Sequence, residues 1–171
     1  TMNNIEIDNI NSNGGRINKI NVLGNIYSNK MSSSKGLTED LKSKINRYKY
    51  IVLVCTNRLY NQKYYPIIKT NLINFINEII QIANNNADNL FIIKTKKGEH
   101  KYFPLELKET FSRMKNIEII TSDKPSLDKF NQFEDLIEVA DMLISSFFCS
   151  TIIWQALGKK IPTIACNDIY D

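Results

Sequence analysis

The sequence predicts an α/β fold: a doubly wound parallel sheet of about five to six strands between two layers of helices. Three observations lead there. Runs such as YIVLVC (50–55) and LFIIK (90–94) are apolar almost throughout, as strands buried on both faces must be. Between them, apolar residues return at helical spacing. The two patterns alternate about five times along the chain, as parallel strands with helical crossovers require.

Taken in order, residues 1–36 are polar and weakly periodic, with turn chemistry at Asn13-Gly14-Gly15 and a Ser32-Ser33-Ser34-Lys35-Gly36 stretch. They read as a linker or lead-in, and residues 37–171 as the domain. Thr38 is a suitable N-cap for a helix carrying Leu41, Ile45 and Tyr48. Strand 50–55 follows. Pro66 stands near the start of a long amphipathic helix whose apolar stripe includes Leu72, Phe75, Ile76, Ile79, Ile80 and Ala83, with Asn84-Asn85-Asn86 ending it. After strand 90–94 comes a short helix over 104–114, with Leu105, Leu107 and Phe111 as its apolar positions, and then a strand over 117–120. A helix over 132–140 leads to the strand MLIS (142–145). Ser150-Thr151 open the next helix, Gly158 stops it, and a strand follows over 161–165. The sequence ends with no closing helix, which reads as a fragment of a longer protein.

The chain has 171 residues, 43% of them hydrophobic, and a formal charge of +4. It is long enough for one globular domain. Its Lys and Arg are dispersed, so nucleic acid is not the expected partner, while the mild positive charge suits an anionic ligand or peripheral contact with a membrane surface. The three cysteines, Cys55, Cys149 and Cys166, are far apart and include no C-x-x-C pair. That argues against zinc and a disulfide framework and for a reducing cytoplasm. No apolar run approaches the ~20 residues that span a bilayer. P-loop, dinucleotide-fingerprint and nucleophile-elbow motifs are missing, which disfavours NTPases, dehydrogenases and α/β-hydrolases.

The last third of the chain carries the functional signal. The strand MLIS empties into Ser146 and then, past Phe147-Phe148-Cys149, into the helix start at Ser150-Thr151. The first N–H groups of a helix lack partners, and its dipole favours negative charge there. In an alternating α/β chain this loop belongs to the carboxyl edge of the sheet, where ligands bind. The expected ligand is a phosphate-bearing small molecule.

The string VADMLISSFFCSTIIWQALGKKIPTIA resembles the nucleotide-binding half of glycosyltransferases with two Rossmann-like domains (the GT-B type). It is nearest to bacterial surface-polysaccharide and CDP-glycerol transferases. Asp141, Ser145, Ser150, Thr151, Ala156, Leu157, Gly158, Lys159, Pro162 and Ile164 match that pattern. Two positions depart from it: Gln155 replaces a glutamate that holds ribose hydroxyls in relatives, and Thr95-Lys96-Lys97 replaces a His-Pro step after Lys94. The resemblance implies a Rossmann-like domain that binds a nucleotide-activated sugar or polyol phosphate, with no metal and no cofactor. It also implies a glycan or lipid-linked acceptor, and an amino-terminal domain supplying the general base. The enzyme would build capsule, lipopolysaccharide or a similar surface polymer from the inner face of the membrane. A nucleotide-sugar 2-epimerase on the same plan, and a degenerate half that only binds, are the alternatives.

By the same resemblance, Ser150, Thr151, Ser146 and Lys94 would hold the donor phosphates, Gln155 the ribose, and Pro125 and Ser126 the base. Asn57 and Arg58 would face the cleft. Plainer readings exist for each: a helix cap for Ser150 and Thr151, a polar strand end for Ser145 and Ser146, and exposed loops for Arg58 and Lys96. Glu99 and the single histidine, His100, do not read as bases. Trp154 reads as core.

Overall fold

The computed structural model describes residues 36–56, 65–96, 98–121, 130–146 and 151–166. In chain order they form α1 (Glu39–Ile45), β1 (Tyr50–Cys55), α2 (Tyr65–Asn85), β2 (Asn89–Lys94), a 3-10 turn (Glu99–Tyr102), α3 (Leu105–Arg113), β3 (Ile117–Ile120), α4 (Phe133–Ile137), β4 (Met142–Ser145), α5 (Thr151–Gly158) and β5 (Thr163–Ala165). The five strands are parallel, in the order β3-β2-β1-β4-β5. This is the doubly wound Rossmann-like sheet that the apolar runs predict.

Strand alternation sorts the core into two halves. Val52, Val54, Phe91, Ile93, Ile117 and Ile144 face one way, against Leu72, Phe75, Ile76, Ile79 and Ala83 of α2 and Leu107 and Phe111 of α3. Ile51, Leu53, Cys55, Leu90, Ile92, Ile120 and Leu143 face the other way, against Leu41 of α1, Leu136 and Ile137 of α4, and Ile152, Ile153 and Ala156 of α5. Both faces are covered, which is why the central strands carry no polar alternation.

Polar side chains fix the ends of the elements. At the amino end of the β1–β4 ladder, the Asp141 N–H donates to the Ile51 carbonyl (2.9 Å) while its carboxylate accepts the Ile51 N–H (2.8 Å). Buried Asn116 donates to the carbonyl of Ala83 (2.9 Å), which also accepts the Asn86 N–H (3.1 Å), so the end of α2 is pinned to the approach of β3.

Several expectations need correction. Thr38 occupies the N-cap of α1 but its side chain caps nothing. Instead its N–H donates to Asn131 Oδ1 (2.9 Å) and its hydroxyl accepts from Asn131 Nδ2, which ties α1 to the approach of α4. The helix expected over 132–140 is only Phe133–Ile137, because the chain must turn at Glu138 and Val139 to bring Met142 into register with Val52. Leu105 and Trp154 are not core: they are 68% and 61% exposed. Trp154 falls on the face of α5 turned away from Ile152, Ile153 and Ala156. Gly158 is the last residue of α5, but the left-handed residue that ends it is Lys160 (φ 61). The Ile161 N–H then reaches back to the Ala156 carbonyl at 3.0 Å, the wider bond of a Schellman cap.

Among the described residues, no helix is long and apolar enough to cross a membrane.

Candidate functional site

The strand order places a topological switch between β1 and β4. From β1 the chain enters α2 on one face; from β4 it enters α5 on the other. Connections that diverge in this way leave a crevice at the carboxyl ends of the two strands.

That edge is well built. Ile120, Lys94, Cys55, Ser145 and Ala165 stand in one row across the sheet. The residues just past the strand ends extend the ladder: Ser146 N–H donates to the Cys55 carbonyl (3.0 Å), Cys166 N–H to Ser145 (2.8 Å), Thr95 N–H to Ile120 (3.0 Å) and Thr56 N–H to Lys94 (3.3 Å). Buried polar side chains gather here. Among the described residues, Thr56, Thr95, Glu99, Ser145 and Ser146 all lie at this edge, while Asn116 precedes β3 at the other. A fold spends burial on hydroxyls only where they find hydrogen-bonding partners.

Thr151 opens α5 and is exposed; Gln155 lies one turn on, on the same helix face, and is half-buried. The helix start and the buried Ser145-Ser146 step bound the β4 side of the crevice. Lys94 ends β2 and is half-buried. It is two strand spacings, roughly 10 Å, from Ser145. Register puts it on the face it shares with Cys55 and Ser145, toward α5. The Cys55 thiol registers the local field. Burial pushes it up to about 12, while the positive charges of Lys96 and Lys94 pull the other way. Both ammonium groups therefore lie within electrostatic reach of the end of β1. The thiol is neutral at physiological pH and is no nucleophile.

Glu99 is a group that sequence reasoning passed over. It is 2% exposed. Its Oε2 accepts from the Thr56 hydroxyl and from the Lys96 N–H (2.8 Å). In the sequence Gly98 marks only a turn, and its left-handed backbone (φ 84) makes that turn after β2. His100 is half-buried rather than a surface residue.

The structure thus brings Ser146, Thr151 and Gln155 to one side of the crevice and Lys94 to the other. Ser150, Asn57, Arg58, Pro125 and Ser126, with Phe147 and Phe148, lie outside the described residues. A groove of about 600 Å³ opens elsewhere, lined by Tyr50, Val52, Ile82, Phe91, Met142 and Ile164. Among the described residues it is lined mostly by apolar side chains, with Asp141 the one charged residue, and does not suit an anion. No cluster of metal-ligating side chains occurs among the described residues.

No protein-family model matches the chain, and no curated protein matches it. Among solved structures, it is similar to the Methanocaldococcus jannaschii UDP-GlcNAc 2-epimerase in complex with UDP-GlcNAc and UDP. Identity is 22%, over 96% of this chain and 44% of the epimerase, with a TM-score of 0.59. A second similar structure is the C-terminal domain of a group 1 glycosyl transferase (LpcC) from Francisella tularensis, at 15% identity over 79% of this chain and 69% of that one, TM-score 0.49. The chain spans less than half the length of the epimerase. The fold is therefore that of a Rossmann-like α/β domain shared with the epimerase.

Proposed function

We propose that the β1–β4 crevice holds the diphosphate of a nucleotide-activated sugar or polyol phosphate. In this reading the chain is the donor-binding half of a bacterial GT-B glycosyltransferase for surface polysaccharide. The observation that carries the reading is the gathering of buried hydroxyls, two lysines and the start of α5 at one edge of the sheet. The α5 amides, with Ser150, Thr151 and Ser146, would hold the phosphates. They would be oriented before the reaction toward oxygens whose charge grows as the donor bond breaks, which is how such groups lower a barrier. Lys94 would add a positive charge across the crevice. Gln155 would hold the ribose, and Pro125 and Ser126 the base. The general base and the glycan or lipid-linked acceptor would belong to an amino-terminal domain, with no metal or cofactor needed.

A 2-epimerase-like activity is the second reading, favoured by the fold likeness to an epimerase. Product analysis of the full-length protein with UDP-, CDP- and GDP-linked donors separates the two. The transferase reading expects the leaving nucleotide (a nucleoside diphosphate from a sugar donor, a nucleoside monophosphate from a polyol-phosphate donor) to be released only when an acceptor is present, and no turnover by residues 1–171 alone. Acceptor-independent appearance of a sugar inverted at its second carbon would replace it with the epimerase reading.

A further inference from the structure

Glu99 is the one buried acidic side chain among the described residues. An ionised carboxylate taken out of water needs strong compensation to persist. Part of what it does is local. The Lys96 N–H donates to its Oε2 at 2.8 Å and its own N–H donates to the Lys96 carbonyl at 3.1 Å, closing the turn after β2. An exposed side chain could do that as well. The bond from the Thr56 hydroxyl is different, because Thr56 is the first residue past β1, and its neighbour Cys55 accepts from the Ser146 N–H across the switch point. One carboxylate oxygen thus joins the tip of β1 to the turn that bears Lys96.

We infer that Glu99 is a positioning residue of the diphosphate site, holding the lysine-bearing turn after β2 against the β1 wall of the crevice. The inference rests on the diphosphate reading. The Thr56 hydroxyl and the Lys96 N–H both meet Oε2, and the tether they make requires an acceptor there. A glutamine can supply that acceptor through its amide oxygen; an alanine cannot.

The test measures UDP binding by calorimetry, and hydrogen exchange at the Lys96 amide, in the wild-type chain and in Glu99→Gln, Glu99→Ala and Thr56→Val. Thr56→Val keeps the shape and removes one donor, so it carries the test if Glu99→Ala does not fold. Glu99→Ala is expected to weaken UDP binding about tenfold or more and to expose the Lys96 amide to exchange. Glu99→Gln is expected to stay within about threefold of wild type with the amide protected. Thr56→Val should weaken binding by about three- to tenfold with the Lys96 amide still protected. Glu99→Ala or Thr56→Val binding UDP as wild type does, or Glu99→Gln failing as badly as Glu99→Ala, overturns the positioning role alone. A wild-type chain that binds no UDP overturns the crevice reading itself.

Discussion

Phe91→Ala is expected to destabilise the domain by about 3–5 kcal/mol. Phe91 is 1% exposed, in β2, with β1 on one side and β3 on the other. Its ring belongs to the core half that joins β1, β2 and β4 to α2 and α3. Removing it leaves a cavity that the sheet cannot collapse to fill, because the β2 backbone is held on both sides and the Phe91 N–H is bonded to Asn116 (2.8 Å). Domains of this size hold only about 5–15 kcal/mol in total, so the variant should sit close to its unfolding threshold. Urea denaturation at 25 °C checks this. A loss below about 1 kcal/mol would mean that the two-sided core is packed otherwise than described here.

The second large effect is ligand stabilisation. A ligand that binds only the folded state, present at 100 times its dissociation constant, adds about 2.7 kcal/mol. For a chain of this length that is a rise in Tm of roughly 5–10 °C. UDP or another nucleoside diphosphate is expected to produce it, and uridine without phosphates is not. Ser150→Ala with Thr151→Ala should remove most of the rise. Losing a helix cap also lowers the starting Tm, so the comparison is between ligand-induced shifts. An undiminished shift in the double variant would move the anion away from the start of α5.

Much of this architecture was legible in the sequence. YIVLVC and MLIS are apolar because both faces of the sheet are covered, and their positions agree with β1 and β4. Periodicity was weaker where tertiary context decides. Leu105 looked inward by spacing, yet it begins α3 and faces solvent. Trp154 looked like core by size, yet α5 buries only Ile152, Ile153 and Ala156. The end of α5 was assigned to Gly158 on propensity, while the left-handed turn falls at Lys160 because Ile161 must lead into β5. Thr38 was assigned as a cap, and a partner 93 residues away claimed it.

For the site, the sequence pointed to the carboxyl edge of the sheet, where the buried polar side chains gather, but not to all of their chemistry. The strand–loop–helix step at Ser145, Ser146 and Thr151 is a local pattern, so it could be read directly. Glu99 could not, since its meaning depends on Thr56, which only the β1–β2 pairing brings to it. An isolated Gly-Glu-His-Lys stretch carries no trace of that long-range bond.

The central claim is that the amides beginning α5 face an open crevice and hold an anion. Backbone NMR of a ¹⁵N-labelled chain titrated with UDP tests it most directly. The largest shifts are predicted at Ser146, Thr151, Ile152 and Gln155, with smaller ones at Thr56 and Lys96. Shifts concentrated along the groove of Tyr50, Ile82 and Ile164, or none at saturating UDP, would contradict it.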